Sequence, residues 1–162
     1  MTQTKTRSRF LLVAAFACAL PGLLWARSAA AGTCRGTSCV GLDPVATGCN
    51  SDAYAVACYS IVDLNNTQIG RVALRYSPSC NAAWGRVAIF VPHDSEHIEV
   101  RNQSFTLLAS KDGGSSLSSL LSPMTFGGQT QLASGSIFIS GTGYGASTPF
   151  AYPPTAAAVS CP

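Results

Sequence analysis

The chain has little of what most catalytic chemistry needs. It holds only two histidines, His93 and His97, and its many serines include no Gly-x-Ser-x-Gly elbow, so a hydrolase triad has no anchor. Its cysteines lack the C-x2-C pairs of a typical zinc module. Past residue 31 it also lacks net positive charge. Four of the ten basic residues, Lys5, Arg7, Arg9 and Arg27, lie before that point, which leaves six against seven acidic ones and removes the basis for nucleic-acid binding. No internal repeat stands out, and nothing suggests two domains.

The basic residues at the start belong to a leader. Lys5, Arg7 and Arg9 precede a 17-residue apolar run, Phe10 to Ala26, broken by Pro21-Gly22 and followed by Ser28-Ala29-Ala30-Ala31-Gly32. A charged start, an apolar stretch and small residues are the order of a secretory signal peptide, and cleavage is expected after Ala31. The competing reading is a retained anchor, for which the run is at the short limit. Residues 1–31 are thus read as signal peptide and 32–162 as a single exported domain, with no membrane association once the leader is removed.

Six of the seven cysteines remain in that domain: Cys34, Cys39, Cys49, Cys58, Cys80 and Cys161. An even number in an exported chain implies three disulfides, with about 15 pairings open. The first four are spaced C-x4-C-x9-C-x8-C. No metal site and no cofactor is expected.

The segment from Gly32 to Asp52 has little periodicity and reads as a cross-linked loop. Tyr54–Leu64 and Ile69–Tyr76 read as strands joined by a turn at Asn65-Asn66-Thr67-Gln68. Trp84–Val91 and His97–Arg101 form a second pair, and Gln103–Ser110 a further strand. Period-two alternation turns Val72, Leu74, Tyr76, Val87, Ile89, Val91, Ile98 and Val100 inward. Arg71, Ala73, Arg75, Trp84, Arg86, Ala88, Phe90, His97, Glu99 and Arg101 then point outward, as one face shared by three strands.

The second half changes character. Residues 113–149 hold eight of the fifteen glycines. Within them Leu117, Leu120 and Leu121 have the spacing of one or two helical turns in Ser115–Ser122, ended by Pro123. The remainder reads as short strands and turns, or as partial disorder. Phe126, Phe138, Tyr144, Phe150 and Tyr152 argue for packing. The expected architecture is all-β: a small barrel or sandwich, a disulfide-stapled N-terminal loop and at most one short helix.

The string Cys34-x-Gly-x-x-Cys39-x-Gly-x-Asp43-Pro44-x-x-x-Gly48-Cys49-x-x-Asp52-Ala53, with Leu74-Arg75-Tyr76-Ser77-Pro78-x-Cys80-x-Ala82-x-Trp84-x-Arg86 after it, resembles the YjfA-like family of small Gram-positive bacterial proteins, a family of unknown function. The resemblance covers about residues 34–100. It implies a bacterial, exported domain and no particular activity. Cys58 and Cys161 lie outside its motif, which implies that they pair. Cys39–Cys49 and Cys34–Cys80 are taken as the other two bridges. A bacterial source also argues against glycosylation at Asn65 or Asn102.

Arg75, Trp84 and Arg86 are the most distinctive constellation. An outward guanidinium pair with an indole plane can bind sugars, carboxylates or phosphate-bearing polymers. The competing reading is structural, with cation stacked on ring and cross-strand pairs such as Arg86 with Glu99. His93 and His97 fall at a hairpin tip and read as a polar, solvated turn. Asp43-Pro44 and Asp52 suit a turn and a cap better than a calcium site. Gly141-Thr142-Gly143-Tyr144-Gly145 lacks the lysine of a phosphate loop and reads as a flexible turn. The sequence therefore supports a secreted or cell-envelope binding protein acting through Arg75, Trp84 and Arg86 on a cell-wall polysaccharide or a secreted protein. An extracellular hydrolase or an enzyme inhibitor is the alternative.

Overall fold

A computed structural model describes residues 32–161. The expected leader and its cleavage point fall outside the described residues. Among the described residues nine strands follow one another: β1 (Tyr54–Val62), β2 (Gln68–Ser77), β3 (Ala82–Ile89), β4 (Ser95–Asn102), β5 (Leu107–Gly114), β6 (Ser119–Leu121), β7 (Thr125–Phe126), β8 (Gln131–Ile139) and β9 (Thr142–Ser147). They form two antiparallel sheets. The first runs β1-β2-β3-β6 with β7 also on β3, and the second runs β5-β4-β8-β9. Of the two expected architectures, the sandwich is the one formed, and the sheets do not close into a barrel. Among the described residues there is no α-helix, only 3₁₀ turns at Gly36–Cys39 and Cys49–Ser51.

The first hairpin forms where the asparagines lie. Asp63 Oδ1 accepts from the backbone N–H groups of Asn65 and Thr67 at 2.8 Å each, and Asn66 takes the positive φ of 61° that the turn requires. Val72, Leu74, Val87, Ile98, Val100 and Ile137, none of them exposed, meet between the sheets. Glycine sets how closely the sheets approach. A Cβ at Gly85 on β3 would lie 2.7 Å from Ile98 Cγ1, and one at Gly135 on β8 would run into Val87 Cγ2.

Three expectations need correction. The outward face does not span three strands, because β4 crosses to the second sheet. Its His97, Glu99 and Arg101 therefore line a different surface from Arg71, Arg75 and Arg86, and Glu99 pairs with Arg101 at 2.7 Å rather than with Arg86. The expected helix at Ser115–Ser122 is instead a turn leading into β6. The backbone of β3 at that edge needs partners: Ile89 N–H donates to Ser118 O at 3.0 Å, and Ser122 N–H to Gly85 O at 3.0 Å. Those bonds favour extended chain, with Leu120 buried and Leu117 exposed. The expected flexible turn at 141–145 is mostly strand: Ser140 and Gly141 make the β8–β9 turn at φ 49° and 78°, and Gly143–Gly145 lie within β9. The rest of the glycine-rich segment forms short strands and turns, as expected.

The bridges also differ in part. Cys58 joins Cys161, which ties the C-terminal tail to β1, but the other two are Cys34–Cys39 and Cys49–Cys80 rather than Cys39–Cys49 and Cys34–Cys80. The 3₁₀ turn at Gly36–Cys39 folds the chain back so that Cys39 meets Cys34. Cys80, in the β2–β3 turn, is thereby left to Cys49.

Candidate arginine cleft

The outer face of the first sheet carries the candidate residues. In the β2–β3 register Arg75 lies opposite Trp84, Ala73 opposite Arg86, and Arg71 opposite Ala88. A sheet face of this kind is ordinarily solvated, but here two covers lie over it. The N-terminal loop covers one end. It is bound to the sheet by Cys49–Cys80 and by reciprocal backbone bonds, Gly41 N–H to Met124 O and Met124 N–H to Leu42 O, both 2.9 Å. The tail covers the other, with Val159 N–H donating to Ala55 O at 2.9 Å and Cys161 bonded to Cys58.

Trp84 lies under the first cover. It is 0% exposed and packs with Cys39, Cys49, Cys80, Ala82 and Met124 in a second apolar cluster. The stacking surface expected of it is not open, because the disulfide loop occupies the place a ligand ring would take. Its Nε1 is buried without a hydrogen-bond partner.

Arg75 and Arg86 lie between the covers. With Arg71, Ala73, Ala88 and Val159 they line a cleft of about 290 Å³, and no carboxylate side chain is among its lining residues. The two alanines leave the floor shallow. Arg75 Nη2 donates to Ala53 O at 2.6 Å, but the Nε atoms of both Arg75 and Arg86 are buried without a partner. Burial, and after it the charge of Arg86, hold the Arg75 guanidinium below its usual range. Arg71 completes the rim: its Nη1 donates to Cys161 O at 2.6 Å and its guanidinium lies 5.5 Å from the Phe90 ring centre. Arg71 was legible as an outward residue four positions from Arg75, whereas the tail's part in the site had no signal beyond Cys161.

The histidines do not form a solvated tip. His93 Nε2 lies 2.7 Å from Glu96 Oε2, with both residues buried, and Glu96 Oε1 has no partner. Proline at 92 and the start of β4 fold the short connection so that the pair turns in beneath Gly113, which has no side chain to displace it. His93 borders a shallow groove with Ser115, Ser116 and Ser118. On β4, His97 Nδ1 lies 2.6 Å from Asp112 Oδ1 on β5.

The acidic residues of the N-terminal region have structural roles. Asp43 Oδ1 accepts from the backbone of Val45 at 2.8 Å and Ala46 at 3.1 Å, which forms the turn at Pro44. Asp52 accepts from Ser77 Oγ at 2.6 Å and from Ser79 N–H at 2.9 Å. Burial opposes its ionisation most strongly of any single effect. The bonds from Ser77 and Ser79 together outweigh it, so the carboxyl sits below its ordinary 3.8.

The fold and the site define a disulfide-bonded antiparallel β-sandwich with an arginine cleft on one outer face. A family model, "Protein of unknown function (DUF2690)", matches residues 37–134, and the chain belongs to that family. The match runs from within the 3₁₀ turn at Gly36–Cys39 through the first sheet and into β8, leaving β9 outside. No curated protein and no solved structure matches the chain. Among the described residues three disulfides are present, and no helix is long and apolar enough to cross a membrane.

Proposed function

We propose that this chain is an exported binding protein of the cell envelope, and that the cleft between Arg75 and Arg86 receives a carboxylate or phosphate group of a cell-wall polysaccharide. The single observation that carries this reading is a pair of guanidinium groups sharing a part-buried cleft with no acidic side chain among its lining residues. Guanidinium groups recognise oxyanions through paired N–H donors, and an anion there would offset the repulsion between the two cations. The leader-like start of the chain, the disulfides and the resemblance to a Gram-positive exported family support export. Trp84 contributes by holding the disulfide loop in place and makes no contact with the ligand.

Retention on an immobilised anionic polysaccharide, with a neutral polysaccharide as control, tests the reading. The intact chain should be retained on the anionic matrix alone and elute as salt rises, while Arg75→Ala and Arg86→Ala should each weaken retention by about tenfold, the equivalent of one charge-assisted hydrogen bond. Equal retention of the double variant and the native chain would overturn it.

A hydrolase is the second reading, supported by the 2.7 Å His93–Glu96 pair beside Ser115, Ser116 and Ser118. A carboxylate that orients an imidazole is the usual arrangement behind a general base. No hydrogen bond joins His93 to a serine among the described residues, so the binding reading leads. Turnover of activated short-chain esters that is abolished in His93→Gln would reverse that order.

A further inference from the structure

Away from the arginine cleft, the N-terminal loop and the β2–β3 turn bring four sulfur atoms together. Cys34 Sγ lies 3.7 Å from Cys49 Sγ, although the two belong to different bridges. The Sγ atoms of Cys34, Cys39, Cys49 and Cys80 all lie within 4.8 Å of one another. A tetrahedral zinc thiolate centre, with Zn–S about 2.3 Å, places its sulfurs about 3.8 Å apart. Once the two bridges are reduced, four sulfurs already within 4.8 Å of one another are close enough to converge on such a centre. The spacing in the chain conceals this, because Cys80 comes from the β2–β3 turn and not from the loop.

The surroundings match a closed structural site. Cys39, Cys49 and Cys80 are fully buried, and Trp84, Ala82 and Met124 pack against them. The backbone of Gly32 closes another side, so near that a Cβ there would overlap the sulfurs of Cys80 and Cys49. A donor set of four sulfurs, with no carboxylate or histidine in the cluster among the described residues, favours a thiophilic ion over calcium or magnesium.

We propose that the reduced chain holds one zinc ion at Cys34, Cys39, Cys49 and Cys80. Each bridge takes two electrons and two protons from a dithiol reductant, which is itself oxidised to a disulfide, and four cysteine thiols result. Zinc then binds four thiolates as the four thiol protons leave. Metal and bridges are mutually exclusive, so the loop is fastened over Trp84 by zinc in reducing surroundings and by Cys49–Cys80 in oxidising ones. This proposal is independent of the arginine cleft.

The full chain, reduced with a dithiol and supplied with zinc, should retain one zinc per chain after removal of excess metal. Cobalt in its place should give the visible absorption of a tetrahedral tetrathiolate site. Alkylation read by mass spectrometry should modify Cys58 and Cys161 while the other four resist until a chelator is added. The Cys58→Ser/Cys161→Ser variant should keep its zinc, and Cys34→Ser/Cys39→Ser should lose more than about tenfold in affinity. Substoichiometric zinc in the native chain overturns the proposal. So does alkylation of Cys34, Cys39, Cys49 and Cys80 as fast as that of Cys58 and Cys161, or equal zinc loss in both variants. Circular dichroism of each reduced sample with and without zinc should show strand content kept when zinc is bound, and an unfolded zinc-bound chain also overturns it.

Discussion

Replacement of Trp84 separates packing from recognition. Its side chain is 0% exposed and is bounded by Cys39, Cys49 and Cys80, which their bridges hold in place. A neighbour fixed by covalent bonds cannot collapse into a void. Trp84→Ala should therefore fall at the upper part of the range for such truncations, about 3–5 kcal/mol. With a urea dependence of about 2 kcal/mol per molar, the unfolding midpoint drops by about 1.5–2.5 M. Trp84→Phe should behave differently. The indole Nε1 has no hydrogen-bond partner, so phenylalanine forfeits no bond and leaves a smaller void than alanine, at a cost of about 1–2.5 kcal/mol. Urea titration of the oxidised protein, followed by far-ultraviolet circular dichroism, measures both. Retention of Trp84→Phe on the anionic polysaccharide should match the native chain. An unchanged midpoint in Trp84→Ala, or retention lost in Trp84→Phe as fully as in the arginine variants, would refute this reasoning.

Further outcomes follow from other parts of the fold. Gly85→Ala and Gly135→Ala force methyl groups against Ile98 and Val87 and should each cost about 1–3 kcal/mol by the same titration, whereas Gly114→Ala, with open space around it, should leave the midpoint unchanged. Asp52 has a carboxyl pKa depressed by folding, so its stabilisation is present above its ordinary 3.8 and is lost as pH falls through that value toward the lower folded one. Asp52→Asn should therefore lower stability at pH 7 and flatten the loss of stability on acidification below about pH 4, as read by thermal unfolding across pH. Serine pairs in place of each disulfide should destabilise in order of loop length. For separations of 103, 31 and 5 residues the losses are about 4.7, 3.7 and 2.1 kcal/mol for Cys58–Cys161, Cys49–Cys80 and Cys34–Cys39, and a reversed order in urea would contradict it.

Alternation was the strongest guide to the fold because its physical cause is local. A residue such as Val72 or Val87 points to the core whichever strand lies beside it. Alternation carries no information on which sheet a strand joins, so His97, Glu99 and Arg101 were grouped with arginines they never meet. Leucine spacing misled at Ser115–Ser122 for a related reason. One turn of helix offers little intrinsic stability, and the unpaired edge of β3 offered backbone partners that only the tertiary structure supplies. Histidine burial was equally hidden, since the side chain it depends on is absent: Gly113 makes room for Glu96, and Glu96 holds His93.

The cleft shows why a correct face can still give an incorrect site. Period-two patterning identified Arg75, Trp84 and Arg86 as sharing the outer surface of the sheet, and they do. That surface is divided by what lies over it, and both covers come from segments with no regular pattern, one before β1 and one after β9. Cys49–Cys80 fastens the first where the neighbouring residue is a tryptophan, which becomes core. Cys58–Cys161 fastens the second beside alanines, which are too short to reach it, so a gap remains. Long arginine stems lie along such a gap, and the Arg75 guanidinium is held there by its bond to Ala53 O. Filling it with larger apolar residues at 73 and 88 would make the same sheet face a second core. The alanines at these two positions therefore matter to the site as much as the arginines, since they determine that a polar cleft exists between the two covers.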